Sequence, residues 1–391
     1  MHKIVWEGIF MERIEPKVKI NWIEFENLAS GLKIERVNFF DDITLLVGLS
    51  GVGKSQILDA VEYSLNLAVR NDIILRPCSV TMSISIGDNN YEWAYRIDKD
   101  TVQDLLFEHH DENDGYIITH ETLSKNGESV FERILDKIIV AGYTKVPQPK
   151  KDESLLLQYS EEDTFEELIS GIRKLYSIEM DLAVRGGIRN ESFNKIKSLI
   201  GETIQQDPQT PFKKFSKLPV VIKLYIIKKY YEDLYVQVFE AVKELFMEIE
   251  DIDVVEDKRK EVYFVAITVY GKQLLQHDIS NGMLKTIYYL VELFTMSEDS
   301  LVLIDEFENG LGVNCIDLLS EMLLTERNDL QFIITSHHPK IINGIEQSRW
   351  KIIDREQSIV KNSDCIGYGI GNSKHDAYFN LINRWEYEGK I

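Results

Sequence analysis

The chain has 391 residues, 44 of them Lys or Arg and 65 Asp or Glu, for a formal net charge of −21 with 44% hydrophobic residues. That length is too great for one small core and implies two or three domains, or one large domain with an insertion. The acid excess repels nucleic acid at long range and argues against a general DNA coat, while leaving room for a local basic site. Three scattered cysteines, Cys78, Cys315 and Cys365, make neither a disulfide framework nor a zinc site. No apolar run is long enough for a bilayer, and the first residues lack the apolar core of a secretion signal. A cytoplasmic chain with no membrane association is expected.

Val18, Ile20 and Trp22 alternate with polar residues, and Ile23 and Phe25 continue on the opposite phase, which predicts a strand bent or bulged after Trp22. Leu32–Val37 is a second strand and Ile43–Val47 a third, buried one. There follows Gly48-Leu49-Ser50-Gly51-Val52-Gly53-Lys54-Ser55, a phosphate-loop pattern, then a helix with Ile57, Leu58, Val61 and Leu65 on one face. Glycines let successive N–H groups close around phosphate oxygens, and the helix start adds partial positive charge. Lys54 would reach β- and γ-phosphates and Ser55 would hold Mg²⁺.

Thr81–Ile86 and Tyr91–Ile97 read as a hairpin around Gly87–Asn90, and Gly115–Leu123 and Glu128–Arg133 extend it as an antiparallel β-lobe around Lys125-Asn126-Gly127. Pro147-Gln148-Pro149-Lys150 is a linker candidate. From Thr164 the chain reads as helical, with Phe165, Leu168, Ile169 and Ile172 at helical spacing, a second helix over Glu191–Ile200 and a longer one over Val220–Glu250. Acidic Glu248–Asp257 reads as a solvated exit. The resulting division is 1–149, an all-helical insertion at 150–255, and 256–391. Lys213, Lys214 and Lys217, with Lys223, Lys228 and Lys229, form either a local basic site or the solvated face of a helix.

Strand character returns at Glu261–Val269, and a long helix follows Ser280. Leu301–Ile304, wholly apolar, is a strand of the kind buried in a parallel sheet, and it delivers Asp305 and Glu306 to its end. Asp305 would serve the Mg²⁺ shell and Glu306 would act as general base on water. Ile316–Leu324 is an amphipathic helix, Gln331–Thr335 another central strand, and the tail ends in a short helix with Tyr378, Leu381 and Ile382.

Together these motifs resemble ABC-type ATPases of the SMC-like and OLD-like branch, which has no membrane domain. Gln276–Leu284 resembles the signature segment of that superfamily, with Ser280 and Gly282 matching its serine and glycine and Asn281 departing from the usual residue. A helix cap is the other reading of Ser280. Thr335-Ser336-His337-His338-Pro339 resembles the switch-histidine motif, with His337 as the γ-phosphate sensor. Two adjacent histidines also invite a metal, but no compact Cys/His set accompanies them. Glu308–Gly312 is either a contact with an opposing subunit or a surface turn. Gln103 is not a convincing glutamine-loop residue, and Trp22 or Phe25 would either stack on adenine or pack in the core.

The resemblance implies an α/β P-loop NTPase: an ABC-type nucleotide-binding head with an antiparallel β-lobe and a helical insertion. It implies ATP and Mg²⁺ as cofactors, with Lys54, Glu306 and His337 catalytic and Ser55 and Asp305 on the metal. Gly48, Gly51, Gly53, Lys54, Ser55 and Gln56 would bind nucleotide, with Ser280 and Gly282 reaching it in trans, hence a homodimer or higher homo-oligomer. The expected function is an ATP-hydrolysing sensor or regulator in anti-phage defence, similar to the ATPase component of PARIS-like or Septu-like systems, acting on a separately encoded effector. The alternatives are an SMC-like DNA-repair or chromosome-maintenance ATPase with DNA as partner, and a scaffold or nuclease with activity in the helical insert.

Overall fold

The computed structural model describes residues 17–100, 115–142, 150–177, 186–365 and 377–387. The linker at Pro147–Pro149 and Gln103 lie outside them. The chain divides into two compact units, one drawn from Glu15–Ile178, Glu298–Phe307 and Asn328–Ile391, the other from Glu179–Ser297 and Glu308–Arg327.

The first unit opens with β1 (Val18–Asn27), β2 (Lys33–Asn38) and β3 (Ile43–Val47), then α1 (Lys54–Val69). The phase change foreseen in β1 is real: its register against a neighbour shifts between Ile20 and Trp22, and against β2 between Ile23 and Phe25. The β-lobe is antiparallel, as its alternation requires: β4 (Cys78–Ile86), β5 (Asn89–Lys99), β6 (Tyr116–Lys125), β7 (Glu128–Ile134) and β8 (Lys137–Val140). Asn126 and Gly127 both take positive φ, 52° and 83°, the pairing that a tight two-residue hairpin turn demands.

Two helices, α2 (Leu155–Gln158) and α3 (Asp163–Ile172), then lie in the core cluster with α1, and β9 (Leu175–Ser177) follows. Ile57, Leu58, Val61 and Leu65 of α1 and Phe165, Leu168, Ile169 and Ile172 of α3 are all buried, so both apolar stripes face that core. Each such side chain contributes about 1.5–3 kcal/mol by leaving water. A buried polar knot fastens α2 to the lobe. Glu121 accepts from Trp93 Nε1 (3.1 Å), Ser154 Oγ (2.6 Å) and Leu155 N (2.9 Å), with Arg133 4.0 Å away.

The second unit holds β10 (Ile188–Arg189), α4 (Asn190–Gln206), α5 (Val220–Tyr230), α6 (Glu232–Leu245), β11 (Ile249–Asp257), β12 (Val262–Val269), β13 (Lys272–Leu275), α7 (Asn281–Thr295) and α8 (Val313–Glu321). Three expectations are corrected here. The helix expected over Val220–Glu250 breaks at Tyr231, whose backbone leaves the helical region at φ −134°, ψ 66°. Its hydroxyl donates to Thr210 O at 2.7 Å and its ring packs edge-on to Phe212 and Phe215, so side-chain anchoring overrides helix propensity. The acidic Glu248–Asp257 stretch is a strand from Ile249 onward, not a solvated exit. Ile249 and Ile252 are fully buried, β11 pairs with β12 along its length, and Asp251 meets Lys228 at 2.7 Å. With β9, β10 and β11 in it, the segment is not all-helical.

The chain completes the first unit with β14 (Leu301–Ile304), β15 (Gln331–Thr335), α9 (Pro339–Gly344), β16 (Trp350–Glu356), β17 (Ile359–Asp364) and α10 (Ala377–Tyr387). The large sheet runs β8-β7-β6-β5-β4-β1-β2-β17-β16-β3-β15-β14-β9. Its segment β16-β3-β15-β14-β9 is parallel throughout. β3, β14 and β15 are buried at every position, which is why they read as unbroken apolar runs rather than alternating ones. The fold is α/β with an antiparallel lobe, as expected, while the insertion expected to be all-helical mixes helix and strand.

Candidate functional site

Three neighbouring parallel strands carry the predicted residues of the first unit to one edge of the sheet. The glycine loop and Lys54 follow β3, Asp305 and Glu306 follow β14, and His337 follows β15, which lies between them. In open parallel sheets, that carboxyl edge is where ligands bind.

The loop is shaped by backbone before any ligand arrives. Gly51 and Gly53 take φ of 80° and 111°, conformations that L side chains rarely adopt. As N-cap of α1, Gly53 has no side chain to accept from the first-turn N–H groups, an arrangement that suits an external acceptor such as phosphate. Lys54 is buried, and its Nζ donates to Gly48 O and Leu49 O, both at 2.9 Å. Ser55 and Gln56 are exposed on the first turn of α1. The hairpin β16–β17 backs the loop: an ideal Cβ on Gly53 would stand 2.7 Å from Val360 Cγ2. Arg355 of the same hairpin reaches Gly51 O at 3.5 Å.

Asp305 and Glu306 are exposed at the end of a buried strand. Glu306 has a positive φ of 45°, which takes it out of the strand's alternation from Asp305. Its N–H donates to Thr335 Oγ1 at 2.7 Å, and the same hydroxyl donates to Asp305 Oδ1. Phe307 N donates to Thr335 O at 3.1 Å. From sequence Thr335 only opens the histidine segment and closes an apolar strand, with no role of its own; its one signal is a hydroxyl at the strand end two places before His337.

His337 is half-buried. His338 is the N-cap of α9, its Nδ1 accepting from Lys340 N at 3.3 Å, which gives the second histidine a structural task. Among the described residues, no group of three or more His, Cys, Asp and Glu forms a metal cluster. Ser55 and the carboxylate of Asp305 are nonetheless the hard oxygen donors that Mg²⁺ takes when most of its shell is water and phosphate. Glycine cradle, uncapped helix start, buried lysine and exposed carboxylates fit a Mg-nucleotide.

The signature residues belong to the second unit. Ser280 is exposed and caps α7, its Oγ accepting from Met283 N at 3.3 Å, so the cap reading of this serine is realised. Its O–H remains a donor. Gly282 lies against the turn that follows the carboxylates: a Cβ there would be 3.3 Å from Gly310 O. Beneath that turn, buried Lys285 donates to Asn309 O at 3.2 Å, a residue sequence reasoning passed over. The basic stretch is largely engaged. Lys223 is buried against Glu292, Lys228 pairs with Asp251 and Asp253, Lys229 lies over Tyr225 and Tyr230, and Lys217, though exposed, is engaged as well; Lys213 is exposed. Trp22 carries the Arg36 guanidinium over its ring at 3.7 Å, and Phe25 packs on the core.

Among solved structures, the chain is similar to an SMC head bound to the C-terminal winged-helix domain of ScpA, at 12% identity and TM-score 0.47, over 88% of this chain and 96% of that one. It is similar also to an SMC head with an extended coiled coil bound to the C-terminal domain of ScpA from Pyrococcus furiosus, at 11% identity and TM-score 0.46, over the same shares. No curated protein sequence matches it significantly. Residues 43–343, which run from the first residue of β3 through the glycine loop, both carboxylates and the histidine segment, match the family model described as "AAA domain, putative AbiEii toxin, Type IV TA system", and the chain belongs to this AAA ATPase family.

Proposed function

We propose that this chain binds and hydrolyses ATP with the residues gathered at the β3–β15–β14 edge, and that the hydrolysis cycle switches a partner. The carrying observation is the Thr335 hydroxyl that ties Asp305 to Glu306 at the strand next to the glycine loop. Lys54 would leave the Gly48 and Leu49 carbonyls for β- and γ-phosphate oxygens. Ser55 and Asp305 would hold Mg²⁺, which shields phosphate charge when bound. Glu306 would take the proton of the attacking water, and His337 would donate to the γ-phosphate. Exposed Ser280, with Gly282, would complete the site of a second copy, which makes turnover depend on a homodimer or higher homo-oligomer.

Two settings use this chemistry. As an SMC-like repair or chromosome-maintenance ATPase, the protein would grip DNA; exposed Lys213 and Lys217 are the handle for testing that first. As a defence regulator, it would hold or release a separately encoded effector; the toxin–antitoxin wording of the family description supports a partner-controlled role. Glu306→Gln is expected to retain ATP and accumulate the assembled state by native mass measurement, while turnover falls about 10²–10⁴-fold. Normal turnover in that variant removes Glu306 from catalysis. Salt-sensitive DNA binding lost on neutralising Lys213 and Lys217 selects the first setting; its absence with a co-purifying partner selects the second.

A further inference from the structure

We infer that Thr335 is a positioning residue for ATP hydrolysis: its hydroxyl couples the metal-side carboxylate, the general-base residue and the histidine-bearing strand into one unit. This rests on the proposed roles of Asp305 and Glu306.

The donor directions follow from chemistry. The Glu306 backbone nitrogen can only donate, so the hydroxyl accepts there, and its single proton goes to the Asp305 carboxylate. An N–H, an O–H and a carboxylate thus form a polarised chain in which each bond strengthens the next. Thr335 is 1% exposed, so water does not compete for its hydroxyl. A strand-end threonine with ordinary structural duties would satisfy itself on any nearby carbonyl. Here both partners belong to the two carboxylate residues.

The backbone explains why a fastening is needed. Glu306 sits at φ 45°, where a non-glycine residue persists only if its surroundings hold it. Thr335 holds it twice over, through Oγ1 to the Glu306 N–H and through its carbonyl to the Phe307 N–H at 3.1 Å. Meanwhile β15 pairs with β14 on one side and with β3 on the other, so Thr335 is itself held opposite Leu46 in register. Two residues further on stands His337. A shift of the histidine segment is therefore passed to the Glu306 backbone through Thr335, and the hydroxyl is the one of its two links that also reaches Asp305.

The test compares Thr335→Val, which keeps shape and removes the hydroxyl, with Thr335→Ser, which keeps the hydroxyl, alongside Glu306→Gln. Thr335→Val is expected to lower kcat about 10²-fold with KM for ATP changed less than about threefold, the loss that misplacing a catalytic group by about 1 Å brings. Thr335→Ser should recover most of kcat. An independent readout is hydrogen exchange in the nucleotide-free protein: the Glu306 amide should exchange at least about tenfold faster in Thr335→Val, with distant β-lobe amides unmoved, and stay near wild type in Thr335→Ser. If Glu306→Gln stops turnover while Thr335→Val turns over normally, or if Thr335→Ser fails as badly as Thr335→Val, the coupling is overturned and the Glu306 assignment survives. If Glu306→Gln turns over normally, the underlying reading fails instead. Unchanged exchange at Glu306 in Thr335→Val overturns the coupling whatever the kinetics.

Discussion

An ideal Cβ on Gly48 would stand 2.4 Å from the carbonyl oxygen of Ile353, closer than real Cβ atoms come to backbone. The first glycine of the phosphate loop is therefore demanded by a strand far along the chain, the one that carries Ile353. Val52 Cγ2, at 2.9 Å, crowds the same point. β16 pairs in parallel with β3, Ile352 opposite Val47, so the clash cannot be relieved by a side-chain rotation.

Gly48→Ala is accordingly expected to destabilise the protein by about 1–3 kcal/mol, the usual range for overpacking, and to abolish measurable ATP binding. Urea midpoints with nucleotide titration check both. Gly51→Ala offers the contrast, because open space surrounds Gly51 and its φ of 80° is the sole objection. Its stability loss should be the smaller, about 1 kcal/mol.

Lys54 makes two hydrogen bonds to loop carbonyls at 2.9 Å and lies buried. Lys54→Met should raise the Kd for ATP at least about tenfold, or 1.4 kcal/mol. Lys54→Arg should not rescue it, since a planar guanidinium does not fit a slot made for a compact ammonium. Titration of a fluorescent ATP analogue measures both variants.

Lys223, 1% exposed, pairs with Glu292 at 2.6 Å inside the second unit. Removing one partner strands the other, so Lys223→Met should cost about 3–5 kcal/mol, whereas the double replacement Lys223→Met with Glu292→Leu should recover most of it. A double-mutant cycle on melting temperatures gives the coupling. The same burial takes Lys223 off any DNA-binding face, so the double variant should leave the salt dependence of DNA binding unchanged.

Burial pushes the Glu121 carboxyl above the usual carboxylate range, while Leu155 N, Ser154 Oγ and Arg133 pull the other way. A raised folded pKa means that the native state binds more protons than the unfolded chain above about pH 4. Stability from this group is then fullest below the unfolded pKa and is lost as pH rises through the folded one. The stability difference between wild type and Glu121→Gln should thus move against the wild type from about pH 4 upward. Urea midpoints across that range decide it, and a difference that moves the other way shows that the donors outweigh burial.

Several features were legible without coordinates because they are local. Apolar runs with both faces covered marked β3, β14 and β15, the glycine loop announced its own backbone, and α3 showed its stripe at Phe165, Leu168, Ile169 and Ile172. The Val220–Glu250 helix went wrong because Tyr231 is pulled out of helical geometry by Thr210, Phe212 and Phe215, partners that no helical period encodes. The 249–257 strand was hidden by its charges, whose neutral reading depends on Lys228 and on pairing with β12.

The sequence by itself determined the chemistry available: a lysine and serine after a glycine loop, two carboxylates after an apolar strand, and a histidine after the next. These are sets of residues within one short segment, where composition and backbone freedom suffice. Only the tertiary structure decided how they are held. Gly48 is fixed by Ile353, Gly53 by Val360, and Glu306 by Thr335. Each is a contact between segments brought together by sheet pairing, and the register of a parallel sheet depends on every strand in it rather than on any one of them.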